Sequence, residues 1–205
     1  MKDPLLGLSP FDTPFEPPFG APFEPPPTTP PVEPALFRSL MSAFPSGVAI
    51  VTTAEPDGRP WGMTCSSVCS VALDPPTLLL CVRRRSPTLQ AMLKLSTFTV
   101  NLLHDRARYA AELFASGAED RFERVRWHVE PSFGGPHLVE EAHAFADCQV
   151  TRTVEVGDHT VVFGEVFRVE QRTRAVPLLY GLRQYSSWSP APRPEEPRPA
   201  GGMLT

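Results

Sequence analysis

The chain has 205 residues, 41% of them hydrophobic and 20% charged, with a net charge of −4, which is enough for one domain with a real core. Residues 1–35 hold one Lys and five acids and so account for the whole imbalance; the near-neutral remainder lacks the basic stripe that displaces counterions from nucleic-acid phosphates. No apolar stretch approaches the roughly 18 residues of a membrane span, and no basic-then-apolar leader opens the chain, so a cytoplasmic protein is expected.

Of 26 prolines, 12 lie in the first 35 residues, with the near-repeat Pro14-Phe15-Glu16-Pro17-Pro18 and Pro22-Phe23-Glu24-Pro25-Pro26. Proline fixes φ and removes a backbone donor, so this stretch is expected to be extended rather than packed. A second proline-rich stretch fills 189–205. The folded domain is therefore expected over 36–188, flanked by disordered tails at 1–35 and 189–205. The repeat also suits a ligand for a partner's groove, but a disordered solubilising tail is the better-supported reading.

Leu36 to Met41 has the spacing of a short helix, stopped near Phe44-Pro45-Ser46-Gly47. Val48 to Thr53 is β-branched and apolar, Pro56-Asp57-Gly58 signals a turn, and Trp61 to Val71 continues as an extended run, giving a hairpin. Thr77 to Val82 is a third strand. Ser86 caps a helix that has Pro87 at its first position and ends near Leu95. Phe98 to Leu103 reads as a strand, and Asp105 caps a second helix to about Ala115 with Tyr109, Leu113 and Phe114 on one face. Ala144 to Glu155 and Thr160 to Gln171 form a hairpin around Gly157-Asp158, and Val176 to Trp188 supplies the last edge. Six or seven strands without strict βαβ alternation point to a mainly β protein with helices (α+β), an antiparallel barrel rather than a doubly wound sheet. No G-x-G-x-x-G follows a strand, which argues against a Rossmann site.

Cys65, Cys69, Cys81 and Cys148 form no C-x-x-C pair and have no histidine at zinc-finger spacing, so no metal is expected and the thiols read as reduced and mostly buried.

Four strings occur in order: Phe44-Pro45-Ser46-Gly47-Val48; Gly62-Met63-Thr64-Cys65-Ser66-Ser67; Ser70-Val71 to Leu73-Asp74-Pro75-Pro76; and Gly157-Asp158-His159 with Gly164-Glu165-Val166. Together they resemble the flavin reductase-like family, the FMN-binding split-barrel reductase components of two-component flavin monooxygenases, over nearly all of Phe37 to Tyr185. The resemblance implies an antiparallel split β-barrel that forms a homodimer. It further implies NADH- or NADPH-dependent reduction of FMN or FAD, by hydride transfer from nicotinamide C4 to flavin N5, and release of reduced flavin to a partner oxygenase. A flavin-binding carrier or sensor without reductase activity is the alternative.

A flavin's pyrimidine edge gathers negative charge near N1 on reduction, and fixed N–H groups and hydroxyls aimed there favour that state. Gly62 permits close backbone approach, Thr64, Ser66 and Ser67 offer small donors, and Met63 and Cys65 complete the string; taken alone, the string also fits a hydroxyl-rich edge strand. Arg83-Arg84-Arg85-Ser86-Pro87-Thr88 closes a strand and opens a helix, so guanidinium charge, helix dipole and free N–H groups converge where a flavin phosphate would sit. A solvated basic turn has the same sequence. The resemblance places Cys81, Val82, Arg83, Ser86 and Thr88 along the ribityl and phosphate portion, with Leu113 and Phe114 near the flavin. It assigns His159 the catalytic position facing nicotinamide and flavin, where it orients the carboxamide or gives a proton or positive charge. Tyr180, Arg183 and Tyr185 fall in the segment that meets the nicotinamide nucleotide. Two departures stand out: Gly181-Leu182-Arg183-Gln184 replaces the family's aromatic followed by Arg-Gly or Gly-Gly, and Cys65 stands where alanine is commoner. His104, His128, His137 and His143 are assigned no site.

Overall fold

The computed structural model describes residues 30–172 and 175–189; the N-terminal proline repeat and nearly all of the C-terminal tail lie outside them. The elements are α1 (Pro34–Ser42), β1 (Ser46–Gly47), β2 (Ala49–Ala54), β3 (Pro60–Cys65), β4 (Cys69–Leu73), β5 (Pro76–Arg83), α2 (Pro87–Leu95), β6 (Thr97–Leu103), α3 (Arg108–Ser116), β7 (Trp127–His128), β8 (His137–Leu138), β9 (Ala142–Val156), β10 (His159–Gln171), β11 (Leu178–Gly181) and β12 (Gln184–Ser187). Among the described residues no helix is long and apolar enough to cross a membrane.

Seven strands form one antiparallel sheet in the order β3-β2-β6-β9-β10-β5-β4. The run expected as one strand from Trp61 to Val71 is thus two strands, and they are the two outermost of the sheet. Only Ser66, Ser67 and Val68 join them. Four Cα steps reach at most about 14 Å, so the sheet has to curl until its edges meet, and a split barrel results. The Gly157-Asp158 hairpin forms as expected, with Gly157 at φ 57° and His159 paired with Val156. The last segment differs from expectation. Val176 to Trp188 does not edge the barrel; β11 and β12 make a separate three-stranded sheet with β1, because a tight turn at Leu182-Arg183 folds the segment back on itself.

Both faces of β2 are buried, which explains its unbroken apolar run. One face joins Leu80, Val82, Phe98, Val100 and Val162 inside the barrel, where α2 adds Leu89 and Met92. The other face sends Ile50 against Ala110, Ala111, Leu113 and Phe114 of α3. Asp105 does not cap α3: the N-cap is Ala107 with no side-chain bond, and His104 Nδ1 accepts the Arg106 N–H at the entry. Tyr109 is exposed rather than on the buried face. Cys65 and Cys148 are buried as expected, but Cys69 is exposed on edge strand β4.

A polar staple lies in the core. His137 Nε2 hydrogen-bonds both oxygens of buried Asp147, at 2.9 and 3.1 Å, while the Thr99 hydroxyl and Gly134 N–H donate to the same carboxylate. The His137 ring is stacked between Phe133 and Phe145, with centroids 3.9 and 4.3 Å away. Burial pushes the Asp147 carboxyl up, but these hydrogen bonds outweigh it and hold the group below its ordinary value.

Candidate active site

The three residues that join the barrel edges carry the first part of the site. Ser67 is committed to the fold: its hydroxyl accepts the Cys81 N–H at 3.1 Å and donates to the Cys81 carbonyl at 3.2 Å. Thr64 donates to the Ala111 carbonyl at 2.6 Å, which ties β3 to α3. Of the three hydroxyls expected to serve as donors, Ser66 is therefore the exposed one that no internal bond occupies among the described residues. Cys65 lies buried with Sγ 3.3 Å from Ser67 Oγ, and burial pushes its thiol up despite that contact. Gly62 answers a packing need. A Cβ there would sit 2.9 Å from Phe114 Cε1 and 3.1 Å from Phe122 Cζ, so the missing side chain makes room for two rings.

Two cavities meet at Ser66, Tyr180 and Arg183. The first, about 530 Å³, is walled by Thr64, Arg108 and Tyr185. The second, about 980 Å³, continues past Ser67 and Cys81. Arg108 Nε is 2.8 Å from Glu112 Oε1 and its guanidinium 5.6 Å from the Tyr185 ring centroid, while Tyr180 and Tyr185 pack at 5.1 Å. Arg183 reaches this place from a turn in which Leu182 and Arg183 have φ of 50° and 60°. Neither residue is a glycine, so this left-handed pair is strained.

Ser86 stands at the N-cap of α2 ahead of Pro87, as expected, but its side chain does not cap the helix. The residue is extended, and its hydroxyl turns to Met63 Sδ at 3.7 Å. The first N–H groups of α2 therefore lack a side-chain acceptor. Met63, Ser86, Thr88 and Phe114 line a third cavity of about 830 Å³. Val82 and Leu113 are buried in the two cores, on the far side of the walls.

Arg83 and His159 face one another in register across β5 and β10. The Arg84 N–H donates to the Asp158 carbonyl at 3.0 Å and Arg84 pairs with Glu155 at 3.1 Å, which fastens the arginine run to the β9–β10 turn. His159 Nδ1 is 2.7 Å from Asp158 Oδ1, and that hydrogen bond, more than any other influence, holds the Asp158 carboxyl below its ordinary value. Neither Arg83 nor His159 lines any of the three cavities described here.

Residues 41–189 match the family model described as a flavin reductase like domain. The chain belongs to the flavin reductase-like family. It is 52% identical over 153 residues to the Flavin reductase (NADPH) of Lentzea aerocolonigenes, covering 75% of this chain and 89% of that protein. With the Flavin reductase (NADH) of Kitasatospora aureofaciens it shares 41% over 169 residues, 82% and 87% of the two chains. Among solved structures, the Streptomyces globisporus NADH:FAD oxidoreductase SgcE6 in complex with NAD and FAD fragments superposes with a TM-score of 0.72 at 32% identity, over 79% of this chain and 98% of that one. BorF, the flavin reductase component of a bacterial two-component tryptophan halogenase, gives 0.69 at 27% identity, over 78% and 100%.

The family strings thus come together in this flavin reductase-like chain in two groups: Thr64 and Ser66 with Tyr180, Arg183 and Tyr185, and Met63 with Ser86, Thr88 and Phe114. Sequence reading missed Arg108 and Glu112, whose i, i+4 spacing on the outer face of α3 was the available signal. It also missed Arg59, Trp61 and Arg121 of the third cavity, which come from segments too far apart to form a motif.

Proposed function

We propose that this flavin reductase binds FMN or FAD along the barrel seam, reduces it with NADH or NADPH, and releases it to a flavin-dependent oxygenase. The observation that carries the reading is the joining of two cavities at Ser66, Tyr180 and Arg183, which puts the seam and the C-terminal hairpin around one space of ligand size. Ser66 offers a hydroxyl to a flavin in that space, and the start of α2 in the third cavity, with Thr88 at its second position, offers N–H groups to the flavin's phosphate. Bound flavin supplies the acceptor for a hydride from the nicotinamide.

The chain's part is positioning. Gly62, Met63, Thr64, Cys65 and Ser67 shape the flavin wall through backbone and packing, while Ser66 donates at its edge. Cys81 and Val82 fix the strand that ends at Arg83; Ser86 and Thr88 hold the phosphate end, and Leu113 and Phe114 back the wall from α3. Glu155 engages Arg84, which leaves Arg83, with Arg85, as the charge of that run available to the phosphate. Tyr180, Arg183 and Tyr185 hold the nicotinamide nucleotide. His159, oriented by Asp158, orients the carboxamide or supplies positive charge to the reduced state.

The domain that does this spans 36–188, works in the cytoplasm and acts as a homodimer. Phe167 and Val169, 50% and 63% exposed on one face of β10, and Leu73, 89% exposed on β4, supply apolar surface for a second copy. BorF's role as the component of a two-component system supports an oxygenase partner. Steady-state oxidation of NADH and NADPH with free FMN and FAD is the test. Coenzyme consumption that depends on flavin is expected, and none with either flavin overturns the reading.

A further inference from the structure

The third cavity holds more than a phosphate needs. From Ser86 and Thr88 it runs to Trp61, Phe122 and Trp127, a wall of three aromatic rings with Phe122 edge-on to Trp127 at 5.9 Å. Two guanidinium groups lie against the Trp61 ring, Arg59 at 5.0 Å and Arg121 at 5.6 Å from its centroid. Arg59 has a carboxylate partner, Glu55 at 3.3 Å.

Among the described residues Arg121 has no such partner. It is 7% exposed, donates from Nη1 to the Ala118 and Gly117 carbonyls at 2.7 and 3.4 Å, and leaves Nε buried and without an acceptor. Burial, with no compensating carboxylate, lowers its pKa. A buried cation without a counter-charge is costly, and one set behind a groove of aromatic faces suits a ligand that brings both an anion and a flat heteroaromatic ring. Glu119 and Glu123 stand exposed among the lining residues, where carboxylates accept from ribose hydroxyls.

We propose that this groove binds the adenylate half of FAD, so that the chain selects FAD over FMN, with Trp61 and Arg121 as the specificity-determining residues. The inference rests on the reading that the flavin phosphate meets the start of α2: a dinucleotide continues from that phosphate into the groove, and a mononucleotide stops there. The nicotinamide nucleotide is assigned to the other side, at Tyr180 and Arg183.

Binding measured without turnover tests it, by quenching of flavin fluorescence on titration with the full chain. FAD is expected to bind about tenfold or more tighter than FMN. Trp61→Ala and Arg121→Met are expected to remove that preference by weakening FAD about tenfold while FMN holds within about twofold, and Arg121→Lys to restore it. Trp61→Phe, which keeps an aromatic face, is expected to fold and to retain part of the preference, and so guards against misfolding of the alanine variant. Equal affinity of the native chain for both flavins overturns the proposal. So does equal weakening of FMN and FAD in variants that melt like the native chain, or a rise in the coenzyme KM with FAD binding unchanged. Tight FAD binding with no coenzyme oxidation would overturn the reductase reading alone; coenzyme oxidation with FMN and FAD bound equally would overturn this proposal alone.

Discussion

Ser67 grips Cys81 at both of its backbone polar groups, accepting from the N–H and donating to the carbonyl. The residue between the two barrel edges is thereby bonded to β5 much as a neighbouring strand would be.

Ser67→Ala removes both bonds at a site water can reach, so each is worth about 1 kcal/mol or less. A fall in Tm of about 2–6 °C is expected, since about 1 kcal/mol shifts a domain of this size by 2–4 °C. Flavin affinity should fall with it, because Ser66 loses its anchored neighbour. Thermal melts with and without added flavin check both.

Gly62→Ala drives a methyl group into Phe114 and Phe122. Overpacking of this kind costs about 1–3 kcal/mol. The double variant Gly62→Ala with Phe114→Leu is expected to recover part of the loss, which urea unfolding midpoints would measure. A single variant that melts normally but binds flavin poorly would show instead that the glycine serves ligand approach.

Asp147 gives the chain an acid limit. Its folded pKa is depressed, so the native state binds protons less readily than the unfolded chain; the stabilisation is complete above the unfolded value of about 3.9 and is lost as pH falls through the folded value. Asp147→Asn is expected to cost about 3 kcal/mol at pH 7 and to flatten the dependence below pH ~4. Unfolding midpoints from pH 7 down to about 3 compare the two.

The thiols are expected to separate cleanly. Burial, followed by the Asp147 charge, pushes Cys148 up to about 12, whereas Cys69 is exposed. Alkylation at pH ~8 followed by peptide mass mapping should label Cys69 first and Cys148 only after unfolding.

Arg183 sets stability against activity. Arg183→Gly relieves the left-handed φ of 60° and is expected to gain about 1 kcal/mol, yet to raise the coenzyme KM about tenfold. Arg183→Asn keeps a residue that tolerates this conformation and removes only the charge, so its KM should rise equally with less change in Tm.

These residues also show what a linear reading captures. The Gly157-Asp158 hairpin was legible because its turn chemistry is local and its strands alternate. The break at Ser66 was not, since alternation from Trp61 to Val71 says nothing about which neighbour each half joins. The Leu182-Arg183 turn was hidden by the absence of glycine or asparagine where φ is positive. Ser86 looked like a cap because its type and its place before Pro87 suit one; what its hydroxyl does depends on Met63, 23 residues earlier. Thr64 and Ser67 stand in the string read as a flavin wall, but whether a hydroxyl faces a ligand or the backbone depends on Ala111 and Cys81.

The bridge of three residues between β3 and β4 has no slack. Lengthening it by a pair of residues would loosen the closure and take Ser67 out of register with Cys81. Two bare strand edges would then stand open to pairing with other chains. The seam that offers Ser66 to a ligand thus also works as the clasp that keeps the protein from aggregating, and loop insertions accepted elsewhere on its surface would be poorly tolerated there.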